Sequence, residues 1–168
     1  ALWEKAQLAT ADADRAYSEA GRITEEALNL DSQRPELRAL LGDILFERAV
    51  LAEWEQQPRL MEDLLHRMGP YDEGGERRRR FSALSTVRVS SSPPGAPVSI
   101  CGLRREGRDF GRTQERRLGE TPAVAGALLP GAYLLTLTTR DGQVVRRPVL
   151  VGHGVTVTVN IELPRASR

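Results

Sequence analysis

The stretch Val155 to Leu163 reads VTVTVNIEL. Val155, Val157, Val159, Ile161 and Leu163 share one face, and Thr156, Thr158, Asn160 and Glu162 share the other. Alternation with period two over nine residues is the signature of a β-strand with one face buried. A strand of this kind needs a sheet to join, and the residues before it supply one. Thr86 to Ser90 (TVRVS) points Val87 and Val89 one way, and after the turn Pro93-Pro94-Gly95-Ala96 the alternation resumes with Val98 and Ile100. Leu128-Leu129-Pro130-Gly131 leads into Tyr133, Leu135 and Leu137 on one face. Arg140-Asp141-Gly142 reads as a hairpin turn, Asp-Gly being its strongest signal. Val145, Arg147, Val149 and Val151 alternate next, and Gly152-His153-Gly154 turns into the last strand. Short strands at regular spacing without a helical period predict a small antiparallel β-sandwich over residues 84–163. Leu103 to Arg117 is polar, rich in arginine and without period, so an insertion at 103–117, either a loop or a loose hairpin, is expected there. Residues 164–168 form a short tail.

The first half has a different period. Leu2, Ala6, Ala9, Ala13, Ala16, Ala20, Ile23, Ala27 and Leu30 recur at alternating steps of four and three, a heptad seam. Trp3, Tyr17 and Leu28 widen it, and Gly21 marks a place for a kink. The small side chains suit close approach of a second helix, either the next helix of the same chain or the same helix of a second copy. Leu30 to Pro35 ends this helix and starts another, with Asp31 or Ser32 able to cap. Leu37, Leu40, Leu41, Ile44, Leu45, Leu51 and Trp54 predict the inward stripe of that second helix. Pro58 opens a third helix with Leu60, Met61, Leu64, Leu65 and Met68 on one side, stopped by Gly69-Pro70. The expected class is therefore α+β: an antiparallel helical hairpin plus a third helix over 1–70, then the sandwich. Tyr71 to Ala83 contains Gly74-Gly75 and four arginines, Arg77 to Arg80. The shift in composition predicts a linker at 71–83, its arginines solvated or paired with helix carboxylates.

Composition excludes several classes of function. With 24 basic and 23 acidic side chains the net charge is +1, so no global field draws the chain to nucleic acid or to an anionic membrane. The positive charge is nearly all arginine, Lys5 being the single lysine, a bias that GC-rich coding produces by itself. The single cysteine, Cys101, forbids an internal disulfide and fits a reducing compartment. Apolar runs are too short to span a bilayer, and no signal peptide opens the chain. Because the chain starts without Met inside a helical pattern, it is expected to be a piece of a longer protein, located in the cytoplasm.

Two strings of motifs carry family resemblances. EEALNLDSQRPELRALLGDILFERAVLAE resembles a tetratricopeptide repeat boundary, although only about one and a half repeats would fit. In the β half, Pro94-Gly95-Ala96, Gly102, Gly119-Glu120-Thr121-Pro122 and Leu129-Pro130-Gly131-Ala132-Tyr133 resemble the PEGA domain pattern of strand, Pro-x-Gly-Ala, Gly-x-Thr-Pro turn and Leu-x-Pro-Gly-x-Tyr. Pro94 stands where that pattern has Glu, and 103–117 lengthens one connection. The PEGA resemblance covers about half the chain and implies an Ig-like or transthyretin-like sandwich. Pro94, Gly95, Ala96, Gly102, Gly119, Thr121, Pro122, Pro130, Gly131 and Tyr133 then have structural roles, with Gly95, Gly102 and Gly131 expected at positive φ and Tyr133 in the core with a partner for its hydroxyl.

The order of parts is similar to the accessory regions of large bacterial Ser/Thr kinases of the myxobacterial type. That implies a kinase domain upstream and, in many cases, a formylglycine-generating-type domain downstream. The expectation is a noncatalytic scaffold that spaces or couples catalytic domains and has protein partners. Alternatives are an extracytoplasmic module that binds cell-wall or surface ligands, and a homodimerisation element working through the alanine seam. The residues add no chemistry of their own. His66 and His153 lie apart from each other and from Cys101 without the spacing of metal ligands. No phosphate-binding glycine loop occurs. No catalytic, cofactor-binding or metal-binding residue is expected.

Overall fold

The computed structural model describes residues 2–106 and 109–164. The chain divides into two compact units, Ala1–Phe81 and Ser82–Arg168. No helix among the described residues is long and apolar enough to cross a membrane.

The first unit is helical: α1 (Leu2–Leu30), α2 (Pro35–Trp54), α3 (Pro58–Met68), a 3-10 turn at Gly69–Tyr71, and α4 (Glu76–Ser82). Pro35 and Pro58 each occupy the first turn of a helix, where the missing N–H costs nothing. Neither Asp31 nor Ser32 caps α2. Arg34 holds that position without a side-chain bond, because the turn is closed by the backbone, Asp31 N–H to Ala27 C=O at 3.1 Å. The core joins Leu28 of α1 to Leu41, Leu45, Phe46, Ala49 and Ala52 of α2 and to Leu64 and Met68 of α3. The stripe expected for α2 is only partly the buried one. Leu40 and Trp54 are exposed, while Phe46 and Ala49 are buried. A one-sided stripe fails because α2 is the middle element: α1 packs on one side, and α3 and the following turn on another.

Residues 71–83, expected as a linker, are instead folded into this unit up to Phe81. Phe81 sets its ring edge-on to Phe46 at 6.1 Å between centroids. Gly75, at φ 65°, lets the chain turn into α4.

Among the described residues the second unit holds eight strands: β1 (Ser85–Ser92), β2 (Pro97–Glu106), β3 (Asp109–Arg112), β4 (Arg116–Glu120), β5 (Ala123–Leu128), β6 (Gly131–Thr138), β7 (Val144–Val151) and β8 (Thr156–Glu162). One sheet runs β5-β1-β8; the other runs β3-β2-β6-β7, with β4 also pairing β2. Pairing is antiparallel except between β1 and β8, which run parallel from Thr86↔Thr156 to Ser92↔Glu162. An all-antiparallel arrangement therefore does not hold. The first and last strands are separated by the whole unit, which leaves ample chain for a parallel crossover. Of the expected insertion, the described residues form the end of β2, β3 and the start of β4, with Leu103↔Arg112 through Glu106↔Asp109 in register, and residues 107–108 lie outside the described residues.

Both sheets contribute to one apolar core. Val87 and Val89 of β1, Ala125 of β5 and Ile161 of β8 come from the first; Ile100, Leu135, Leu137 and Val151 come from the second. From Thr156 on, the alternation read from the sequence is the observed one, with Val157 and Val159 half-buried, Ile161 buried, and Thr156, Thr158 and Asn160 exposed, whereas Val155, just before β8, is itself exposed.

Candidate functional site

The Pro-Gly-Ala and Gly-Glu-Thr-Pro motifs of the β unit meet at one pair of turns, whereas Pro130, Gly131 and Tyr133 lie at the opposite end of β6. Pro94, Gly95 and Ala96 turn the chain from β1 to β2, and Thr121 and Pro122 turn it from β4 to β5. Three bonds lace the turns together. Gly95 N–H donates to Thr121 C=O at 2.8 Å, Thr121 N–H to Ala96 C=O at 2.9 Å, and Ala96 N–H to Thr121 Oγ1 at 3.1 Å. Thr121 is 3% exposed, so its hydroxyl serves the backbone rather than a ligand. Gly95 has φ 83° and Gly119 φ 100°, conformations that a side chain would oppose. Beside these turns lies a cleft of about 220 Å³ lined by Pro93 to Ala96, Thr139 to Asp141, Leu163 and Pro164. It is smaller than the roughly 300–1,000 Å³ usual for small-molecule sites.

Gly102 does not take positive φ. Its constraint is space, since a Cβ there would lie 3.0 Å from Thr113 Oγ1, the atom that accepts the Gly102 N–H at 2.8 Å. Gly131 has φ 158°, next to extended backbone, and makes little demand of that kind. Pro130 and Gly131 lead into β6, and Tyr133 packs against the core while its hydroxyl donates to Leu129 C=O at 2.8 Å. Burial pushes the Tyr133 phenol up, against the opposing charge of Arg116.

On α1 the alanine row is not the centre of the contact with α2. Gly21, Thr24 and Leu28 are the buried residues there, and Ile44 lies 3.5 Å from where a Gly21 Cβ would stand. Asp14, on the same row, pairs with Arg48 at 3.2 Å. The packing row thus runs through positions 14, 17, 21, 24 and 28, one residue after the predicted seam. Ala13, Ala20 and Ala27 flank it half-buried, and Ala9, Ala16, Ile23 and Leu30 are exposed. The side chains of Leu2 and Ala6 lie outside the described residues. Hydrophobicity missed this row because two of its members are polar and satisfied: Asp14 by Arg48, and Thr24 by donating to Ala20 C=O at 2.7 Å.

The arginine run is structural in the same sense. Asp72, 9% exposed, accepts the N–H groups of Arg77 and Arg78 at 3.0 Å each and so caps α4 from outside. Burial alone would raise its carboxyl. The two N–H bonds and the charges of Arg77 and Arg79 outweigh burial and hold it below the usual aspartate range. The Arg77 guanidinium donates to Tyr71 C=O, Ala39 C=O and Asp43. It fits because position 42 is glycine, where a Cβ would stand 2.9 Å from Arg77 Cζ. Arg78 donates to Leu65 C=O, Arg79 to Gly74 C=O, and Arg80 stacks over Phe46 at 4.8 Å. Sequence reasoning passed over Asp72. Its signal was the acidic pair Asp72-Glu73 just ahead of Gly74-Gly75 and a helix start.

His66 is exposed on α3, Cys101 is buried on β2 in register with Leu134, and His153 is buried in the turn between β7 and β8. Among the described residues no group of three or more His, Cys, Asp or Glu side chains could hold a metal ion.

No protein-family model and no curated protein sequence matches the chain. Among solved structures it is similar to an (S)-allantoin synthase, with 9% identity and a TM-score of 0.34, over 64% of this chain and 51% of that one. The chain thus spans about half the length of that structure, and a likeness so slight carries no argument.

Proposed function

We propose that the chain is a noncatalytic scaffold and interaction segment of a multidomain bacterial Ser/Thr kinase, acting in the cytoplasm to space or couple catalytic domains. In this reading the β unit is a PEGA-like sandwich, its two sheets closed over their common apolar core, and the helical unit is a tetratricopeptide-like spacer.

The observation that carries the reading is where the polar side chains go. The motif residues bind backbone: Thr121 holds Ala96, Tyr133 holds Leu129, and Thr113 holds Gly102. The arginine run closes α4 onto its own unit. Groups spent on turns and caps make each unit firm in itself and leave few polar side chains for chemistry, which suits a spacing segment.

The test is the coding DNA on either side of this segment. A kinase domain upstream is the expected result, with or without a formylglycine-generating-type domain downstream. A signal peptide or membrane anchor upstream with no kinase would overturn the proposal.

A further inference from the structure

The ladder between β1 and β8 fixes which way the backbone of β8 faces. Thr86 N–H donates to Val155 C=O, and Leu163 N–H donates to Ser92 C=O, both at 2.9 Å. In a parallel ladder the residues bonded to the neighbour alternate with residues whose N–H and C=O point the other way. The odd-numbered residues from 155 to 163 therefore bond to β1. Thr156, Thr158, Asn160 and Glu162 present their N–H and C=O groups at the opposite edge. Among the described residues β8 has no other ladder partner. On the core side, Val157 and Val159 are only half-buried.

The edges at β7, β5 and β3 carry devices that discourage pairing. β7 has Pro148, exposed Arg146, and Arg147, which shares the core-side register position of Leu135 and is exposed. β5 is interrupted by Ala127 at φ 55°, and Arg116 donates to Gly126 C=O at 3.3 Å. β3 is four residues long. From Val155 to Ile161, β8 has no proline, no glycine and no charge. Its Asn160 side chain is drawn back by Ser90 of β1, which leaves the edge open.

We propose that the β8 edge pairs antiparallel with β8 of a second copy of this chain, about a two-fold axis at Val159. That register places Thr156 opposite Glu162 and Thr158 opposite Asn160, so every outward residue from 156 to 162 meets another outward residue. Four such pairs exchange about eight main-chain hydrogen bonds. Val157 then lies beside Ile161 of the second copy and Val159 beside its own equivalent, which covers the half-buried valines. The one charge, Glu162, faces a threonine, so no like charges oppose. A two-fold register shifted by one residue in either direction strands Thr156 or Glu162. What favours a second copy is the chemistry of these pairs: the one charge meets a threonine, and each half-buried valine meets an aliphatic side chain.

Sedimentation of the 168-residue chain between about 1 and about 100 µM should show a monomer–dimer equilibrium. A chain carrying Thr158→Lys and Asn160→Lys puts lysine opposite lysine and should dimerise at least roughly tenfold more weakly. A chain carrying Thr158→Glu and Asn160→Glu should do the same, and mixing the two should restore a heterodimer. Both positions are exposed, so circular dichroism should be unchanged. Amide exchange of the unsubstituted chain gives a second measurement: Thr156, Thr158, Asn160 and Glu162 should be protected in concentrated and not in dilute samples. A chain that stays monomeric throughout, variants that dimerise like the parent, or a mixture that fails to pair would each overturn the proposal.

Discussion

The helical unit packs an apolar core of its own and fastens its last helix with a buried carboxylate and a guanidinium laid against a helix backbone. The β unit closes around an apolar core, with hydroxyl groups pinning its turns. Asp72 and Arg77 do in the first what Thr121, Ser85 and Tyr133 do in the second: they satisfy backbone groups at places where the chain changes direction. The chemistry differs because the geometry differs. A helix start leaves several N–H groups pointing one way, which suits a carboxylate. Two facing turns expose isolated donors and acceptors, which a hydroxyl or a second backbone segment can meet singly. The comparison implies that the two units should respond differently to cavities, to acid and to alkali.

The largest effect should come from the apolar core. Leu137 is fully buried and belongs to β6, which pairs with both β2 and β7. Leu137→Ala removes buried methyl groups from a site whose neighbours are fixed by two ladders, so collapse into the gap is restricted. Urea unfolding followed by strand signal should show a loss of about 2–5 kcal/mol for the β unit. A loss much below that range would mean that the core is less well packed than its burial indicates.

The helical unit should be more sensitive to the loss of one charge. Asp72→Asn keeps the shape of the side chain but leaves one N–H of the α4 start without its carboxylate oxygen, and leaves Arg77 without a buried counter-charge at 3.8 Å. The expected cost at neutral pH is about 2 kcal/mol. The sign of the pH dependence follows from the direction of the Asp72 shift. Its folded value is depressed, so its contribution is present above the ordinary aspartate value of about 3.9 and is lost as pH falls through the lower folded value. Parent and variant should differ at pH 7 and converge in strong acid. Curves that run parallel down to the acid limit would show that the carboxylate charge is not what closes the unit.

The two units were also unequally legible in the sequence. Period-two alternation located β1, β2, β6, β7 and β8, because a strand in these sheets has one face in the core and the other side needs only to be polar. The helical unit gave up its elements but not its contacts. The α1 packing row contains Asp14, Gly21 and Thr24, residues that a hydrophobic pattern discounts, and their fitness depends on Arg48, Ile44 and a carbonyl four residues back. The arginine run read as solvated or paired with helix carboxylates, and Arg77 does pair with Asp43 of α2. Its bond to Ala39 C=O and that of Arg78 to Leu65 C=O were hidden because those carbonyls are distant in sequence. The parallel β1–β8 pairing was hidden for a related reason: alternation fixes which face a strand buries and leaves its neighbour and direction open. Among the motif residues, Gly102 shows the same limit. Its demand is set by Thr113 rather than by its own backbone angles.

The smallest effect should be at Tyr133, and it sharpens the contrast between the units at the other end of the pH scale. Tyr133→Phe keeps the ring against the core and removes only the bond to Leu129 C=O, which in a half-buried setting costs about 1 kcal/mol. Burial raises the folded value of the phenol. For an acid whose neutral form is the one favoured in the folded state, the contribution is complete below the ordinary value of about 10 and is lost as pH rises through the higher folded value. Stability of parent and variant should therefore run parallel through neutral and acid pH and converge only in alkali, the reverse of Asp72→Asn. If Tyr133→Phe were neutral at pH 7, the Leu-Pro-Gly turn would be held by its backbone alone. The hydroxyl would then have no part in fixing the entry to β6.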